Sequence, residues 1–178
     1  MLQVIKKLFK SNELIEFYSD RNEIDNFAVG FIKAFSNDYI VIQAVNPYGK
    51  GDGCFIGRID DIYSLAYKTN YLESIQKQCI QIEQESDEIS LNGYCSNDIL
   101  QLMIDNLLQR KRIVSVSTYY DLVLYGIISN VSKKTIEFDM ITKNGIKDGH
   151  SILYIDDIKT LSYDDADCMK IQDLFLAH

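Results

Sequence analysis

A chain of 178 residues can hold one sizeable core or two small ones, and 47 % hydrophobic with 25 % charged residues is ordinary for a soluble globular fold. One proline and no low-complexity tract exclude a long disordered region, and apolar runs of a handful of residues exclude a membrane-spanning helix. A net charge of −8 argues against a phosphate backbone as the main partner, because nucleic-acid affinity comes largely from basic residues.

Met1 to Lys10 mixes lysine with apolar residues and lacks the continuous apolar core of a signal peptide. Leu2, Ile5, Leu8 and Phe9 fall on one helical face. Strands are predicted from Leu14 to Ser19, from about Phe27 to Phe35, and from Tyr39 to Val45, with Ser36-Asn37-Asp38 as a turn. Pro47 to Gly53, with three glycines and Asp52-Gly53, reads as a hairpin turn before a fourth strand, Cys54 to Ile59. Asp60-Asp61 makes a corner, and Ile62 to Tyr67 a fifth strand. A helix near Tyr71 to Glu85 aligns Leu72, Ile75, Cys79 and Ile82 and leads to an Asn92-Gly93 turn. A broader apolar stripe, Ile99, Leu100, Met103, Ile104, Leu107 and Leu108, predicts a helix capped by Ser96, with Arg110, Lys111 and Arg112 at its negative end. Ile113 to Thr118 is again a strand, and Met169 to Leu176 a last helix.

The second half repeats the first. At an offset of 96, Gly30 aligns with Gly126, Ser36 with Ser132, Gly49 with Gly145, and Asp52-Gly53 with Asp148-Gly149. Ile59-Asp60-Asp61-Ile62 recurs as Ile155-Asp156-Asp157-Ile158, and 14 of the 38 positions from 30 to 67 are identical without a gap. The connection before the shared glycine is two or three residues longer in the first copy, at Asp20 to Asn26. The chain therefore reads as mainly β with flanking helices. Residues 1–75 are a first helix-plus-barrel repeat, 76–95 a helical and turn linker, and 96–178 a second repeat. Each copy is expected to close five short, strongly bent antiparallel strands into a small barrel.

A helix followed by five bent strands resembles the Sm-like family, over roughly Leu2 to Tyr67 and again Ile99 to Tyr163. Ile56 to Ile62 and Ile152 to Ile158 occupy the place of the Ile-Arg-Gly-x-Asn-Ile segment that joins that family's last two strands. The resemblance implies the fold and not the RNA contacts. Where the family carries Asp-x-x-x-Asn, Ser36 to Ile40 and Ser132 to Ile136 end in isoleucine, and the Arg-Gly pair is absent. SH3-type and PRC-type small barrels fit the same strands.

No catalytic, cofactor-binding or metal-ligating residue is predicted. Asp60-Asp61 and Asp156-Asp157 offer paired carboxylates, but aspartate at a corner accepts backbone N–H groups, which makes them structural. Asp52-Gly53 and Asp148-Gly149 are turn chemistry. His150 has no nucleophile to serve, and its counterpart is Cys54. Asp164, Asp165 and Asp167 lack the glycine and distal glutamate of a calcium loop, and suit a helix start. Tyr18, Tyr39, Tyr119 and Tyr120 are expected to line sheet faces. Cys54, Cys79, Cys95 and Cys168 have no knuckle spacing and read as reduced, cytoplasmic thiols. The expected role is non-enzymatic: a binding or assembly module that meets a protein partner or itself, with no cofactor and no membrane. RNA binding of Sm-like type is the alternative.

Overall fold

In the computed structural model, residues 1–19, 27–78, 93–94, 99–120 and 122–177 are described. The chain divides into two units, Met1–Ile99 and Leu100–His178. In the first, helix α1 (Leu2–Ser11) buries Ile5 and Leu8 and ends where Asn12 turns left-handed at φ 49°. Strands β1 (Leu14–Tyr18), β2 (Ala28–Phe35), β3 (Tyr39–Val45), β4 (Gly51–Arg58) and β5 (Ser64–Tyr67) follow, with a one-turn 3-10 helix at Ile59–Asp61 between the last two. They form a sheet in the order β4-β3-β2-β1-β5. Helix α2 (Asn70–Gln78) comes next, and the two-residue strand β6 (Gly93–Tyr94) pairs parallel with Ala34 and Phe35 of β2. The rest of the predicted 71–85 helix, Asn92 of the predicted turn, and the Ser96 cap lie outside the described residues.

The sheet carries a core on each side. Ile5 and Leu8 of α1 pack with Ile15, Phe17, Ile32, Phe35, Ile40, Ile42, Ile59 and Ile62. On the other side Leu72 and Ile75 of α2 pack with Leu14, Val29 and Val45. Alternation alone would send Ile32 and Phe35 to opposite faces. A bulge between Ile32 and Ala34 adds one residue and returns both to the α1 side.

The second unit contains α3 (Ile99–Arg110, its first residue at the boundary), β7 (Ile113–Thr118), β8 (Val123–Val131), β9 (Thr135–Ile141), β10 (Lys147–Tyr154), a 3-10 turn at Ile155–Asp157, β11 (Ile158–Tyr163) and α4 (Ala166–Leu176). Its strand order is β10-β9-β8-β7-β11. Registers coincide at the 96-residue offset: Gly30↔Ala44 with Gly126↔Met140, Ile42↔Phe55 with Phe138↔Ser151, and the β2 bulge with one between Ile128 and Asn130. Left-handed residues coincide too: Lys68 with Asp164, both at φ 58°, and Gly49 with Gly145, both at φ 75°. At the first strand the offset is 99, since Leu14↔Phe31 answers Ile113↔Ile127 and Asn12 answers Lys111, both at φ 49°. The extra length before Gly30 is thus three residues.

Two sequence expectations are corrected. Neither unit closes into a five-stranded barrel. Each sheet is open: among the described residues β4 does not pair with β5, nor β10 with β11. The corner explains this. A 3-10 turn redirects the chain instead of folding it back alongside, so the fifth strand meets the first and not the fourth. The corner is pinned through the backbone, with Ile59 N–H donating to Asp38 O at 2.8 Å and Ile155 N–H to Lys134 O at 2.9 Å. Asp52-Gly53 is not the hairpin turn either. The turn is Asn46–Lys50, where Asn46 Oδ1 accepts from Tyr48 and Lys50 N–H, and Asp52-Gly53 lies inside β4 at a bulge with Gly53 at φ 73°.

Glycine is obligatory where β2 meets β3. A β-carbon on Gly30 would sit 2.3 Å from Gln43 O, and one on Gly126 would sit 2.2 Å from Asp139 O. Gly126→Ala is therefore expected to cost about 2–3 kcal/mol, read from urea unfolding midpoints, because backbone must move to admit the methyl group. Gly51→Ala, whose β-carbon meets nothing nearer than 4.0 Å, should change stability by less than about 0.5 kcal/mol.

Candidate functional site

The residues singled out by sequence do not converge. Asp60 and Asp156 are exposed on their 3-10 turns, and each corner carries a backbone bond, from Ile59 N–H to Asp38 O and from Ile155 N–H to Lys134 O. Asp164 is bound by Arg112, whose Nη1 lies 2.6 Å from both carboxylate oxygens. Asp165 caps α4, accepting Cys168 N–H at 2.8 Å, and Asp167 accepts from the Tyr125 hydroxyl. Of the predicted basic cluster, Arg110 ends α3, Lys111 supplies its left-handed cap, and Arg112 serves Asp164. No group of three or more His, Cys, Asp or Glu able to hold a metal ion occurs among the described residues. No helix among them is long and apolar enough to cross a membrane.

Sequence reasoning missed Glu16, a single acid inside an apolar strand. Its side chain is 5 % exposed, accepts hydrogen bonds from the Tyr18 and Thr69 hydroxyls, and meets no cation among the described residues. Thr69 Oγ1 in turn accepts Leu72 N–H at the start of α2. The buried carboxylate thus faces the positive end of a helix through one hydroxyl. Asp165 does the same directly at α4. Rings gather beside Glu16: Tyr18 stands 5.3 Å from Phe27 and 6.1 Å from Tyr63, and Phe27 5.6 Å from Tyr71.

The most accessible candidate surface is β10. Its one strand partner is β9, so its outer backbone edge is unpaired among the described residues. His150, Ile152 and Tyr154 alternate on its outward face, with Ile152 68 % and Tyr154 63 % exposed. His150 Nδ1 lies 2.9 Å from Asp139 Oδ1 across the ladder, and Ile152 stands opposite Glu137. The corresponding residue of β4, Ile56, is 1 % exposed. Lys147, Asp148 and the bulge guard the start of β10 against chance pairing, and Ser151–Tyr154 carries no such guard.

Burial of Cys168 on the inner face of α4 pushes its thiol well above the ordinary value of 9.0, with nearby Asp165 adding to the effect. Burial also raises Tyr125, with Asp167 second. In the folded state the thiol keeps its proton where the unfolded chain releases it, so stability is full below the unfolded value and falls as pH rises above it. The melting temperature should decline from about pH 8.5 upward, and less steeply in Cys168→Ala than in the parent. Equal slopes would show that the thiol does not contribute. A scan of family models, a search of curated proteins and a search of solved structures each return no match to this chain.

Proposed function

We propose that the chain is a non-enzymatic binding or assembly module, two related units derived by duplication, which engages a protein partner along β10. The carrying observation is the unpaired edge of that strand beside exposed Ile152 and Tyr154. An extended partner segment can hydrogen-bond to such an edge and bury alternate side chains against its face. Acidic neighbours, Glu137 and Asp139, favour a partner strand over a phosphate backbone. The Sm-like resemblance supports a helix followed by five strands in each unit and carries over no RNA-binding residue. Cys54 and Cys168 are thiols and not disulfide sulfurs, which supports a reducing, cytoplasmic setting.

The test pairs two measurements. Proteins captured from the native host by the parent should be lost with an Ile152→Lys/Tyr154→Lys double variant of unchanged circular dichroism. Oligo-U and oligo-A should bind weakly, and that binding should vanish between about 50 and 200 mM salt. Equal capture by both baits would remove β10 from the reading. Sub-micromolar, salt-tolerant RNA binding would replace it with RNA recognition.

A further inference from the structure

A duplicated chain faces an assembly problem. Each unit holds its fifth strand against its first, through Ile15↔Tyr67 to Tyr18↔Ser64 in one and Val114↔Tyr163 to Ser117↔Thr160 in the other. Since the backbones match, β1 can in principle pair with β11 and β7 with β5, within one chain or between two. Exchange of this kind is a characteristic failure of repeated sequences.

Side chains at this junction distinguish the two arrangements. Glu13 precedes β1 and lies 3.4 Å from Lys68, which follows β5. Arg112 precedes β7 and lies 2.6 Å from Asp164, which follows β11. These are the same positions with the signs reversed, on matching left-handed backbones at Lys68 and Asp164. Exchange would set Glu13 against Asp164 and Arg112 against Lys68. A second position repeats the pattern. Glu16 meets Thr69 in the first unit, whereas Ser115 and Asp165 hold those places in the second. Exchange would bring Glu16, which is 5 % exposed, against Asp165, and leave Ser115 and Thr69 without a carboxylate for the helix behind them.

We propose that Glu13, Glu16, Lys68 and Thr69 in the first unit, with Arg112, Ser115, Asp164 and Asp165 in the second, form a pairing code that keeps each first strand with its own fifth strand. Glu16 and Asp165 carry most of the discrimination, because two carboxylates repel strongly at a buried position. The Glu13–Lys68 and Arg112–Asp164 pairs keep more contact with water than Glu16 does and add less, being partly screened by solvent.

The test uses the full chain with Ser64→Cys, Ser117→Cys and Thr160→Cys. After refolding and oxidation, peptide mass mapping counts bridges from position 117 to 160, the native pairing, against those to 64, the exchanged one. With the native code the bridge to 160 should dominate. Transposing the code by E13R/E16S/K68D/T69D gives both units the same set, and the ratio should fall roughly tenfold or more toward parity, since specificity is a difference of affinities. E13R/K68D alone leaves the buried Glu16 in place and alters only the exposed Lys68 and the partly buried Glu13, keeps the fold if the larger variant does not, and should move the ratio in the same direction by less. If these residues merely stabilise their own unit, melting temperatures change while the ratio stays fixed in both variants, and that result overturns the proposal.

Discussion

At Gly30 and Gly126 the second strand of each unit passes so near the third that a single added carbon would strike a carbonyl oxygen, at Gln43 or Asp139. Much of each sheet depends on this approach. It fixes the register between the two strands, and the bulge that follows within a few residues depends on that register. The bulge lets one strand feed two cores in succession. Val29 faces α2, while Ile32 and Phe35 both face α1. A straight strand would turn one of them to the α2 side, away from the core in which both are buried. The same arrangement places the start of β3 beside the corner, where Asp38 O receives the Ile59 N–H and the chain is redirected toward β1.

Most strands were legible because alternation marks strands independently of their closure, and the ungapped identity at Gly30, Gly49 and Ile59-Asp60-Asp61-Ile62 lines up positions whose strand registers match at the same offset. What alternation does not encode is the direction in which a corner sends the chain, so an open sheet and a closed barrel look alike in sequence. Asp52-Gly53 misled for a related reason. Glycine at positive φ serves a bulge as readily as a turn, and in this chain Gly49 serves the turn while Gly53 serves the bulge.

The junction residues were hidden by frame. Three extra residues before Gly30 shift β1 to an offset of 99, whereas β5 remains at 96. An ungapped comparison therefore never sets Glu13 beside Arg112 while also setting Lys68 beside Asp164. Glu16 gave no signal of its own, since a lone acid within Leu14–Tyr18 has the ordinary appearance of a solvent-facing strand position. Only the placement of Thr69 between it and α2 shows why a carboxylate is tolerated there.

The two units differ least where backbone geometry is decisive and most where chemistry can be satisfied in more than one way. The helix after the fifth strand needs an acceptor at its positive end. In one unit Asp165 supplies it outright, and in the other Thr69 supplies it while Glu16 stands behind the hydroxyl. Either solution serves one unit in isolation. Having both in one chain means that neither set of side chains suits the other unit's strands. Divergence at these positions therefore adds something identical copies would lack: two sheets built on one backbone plan, each of which recognises its own last strand.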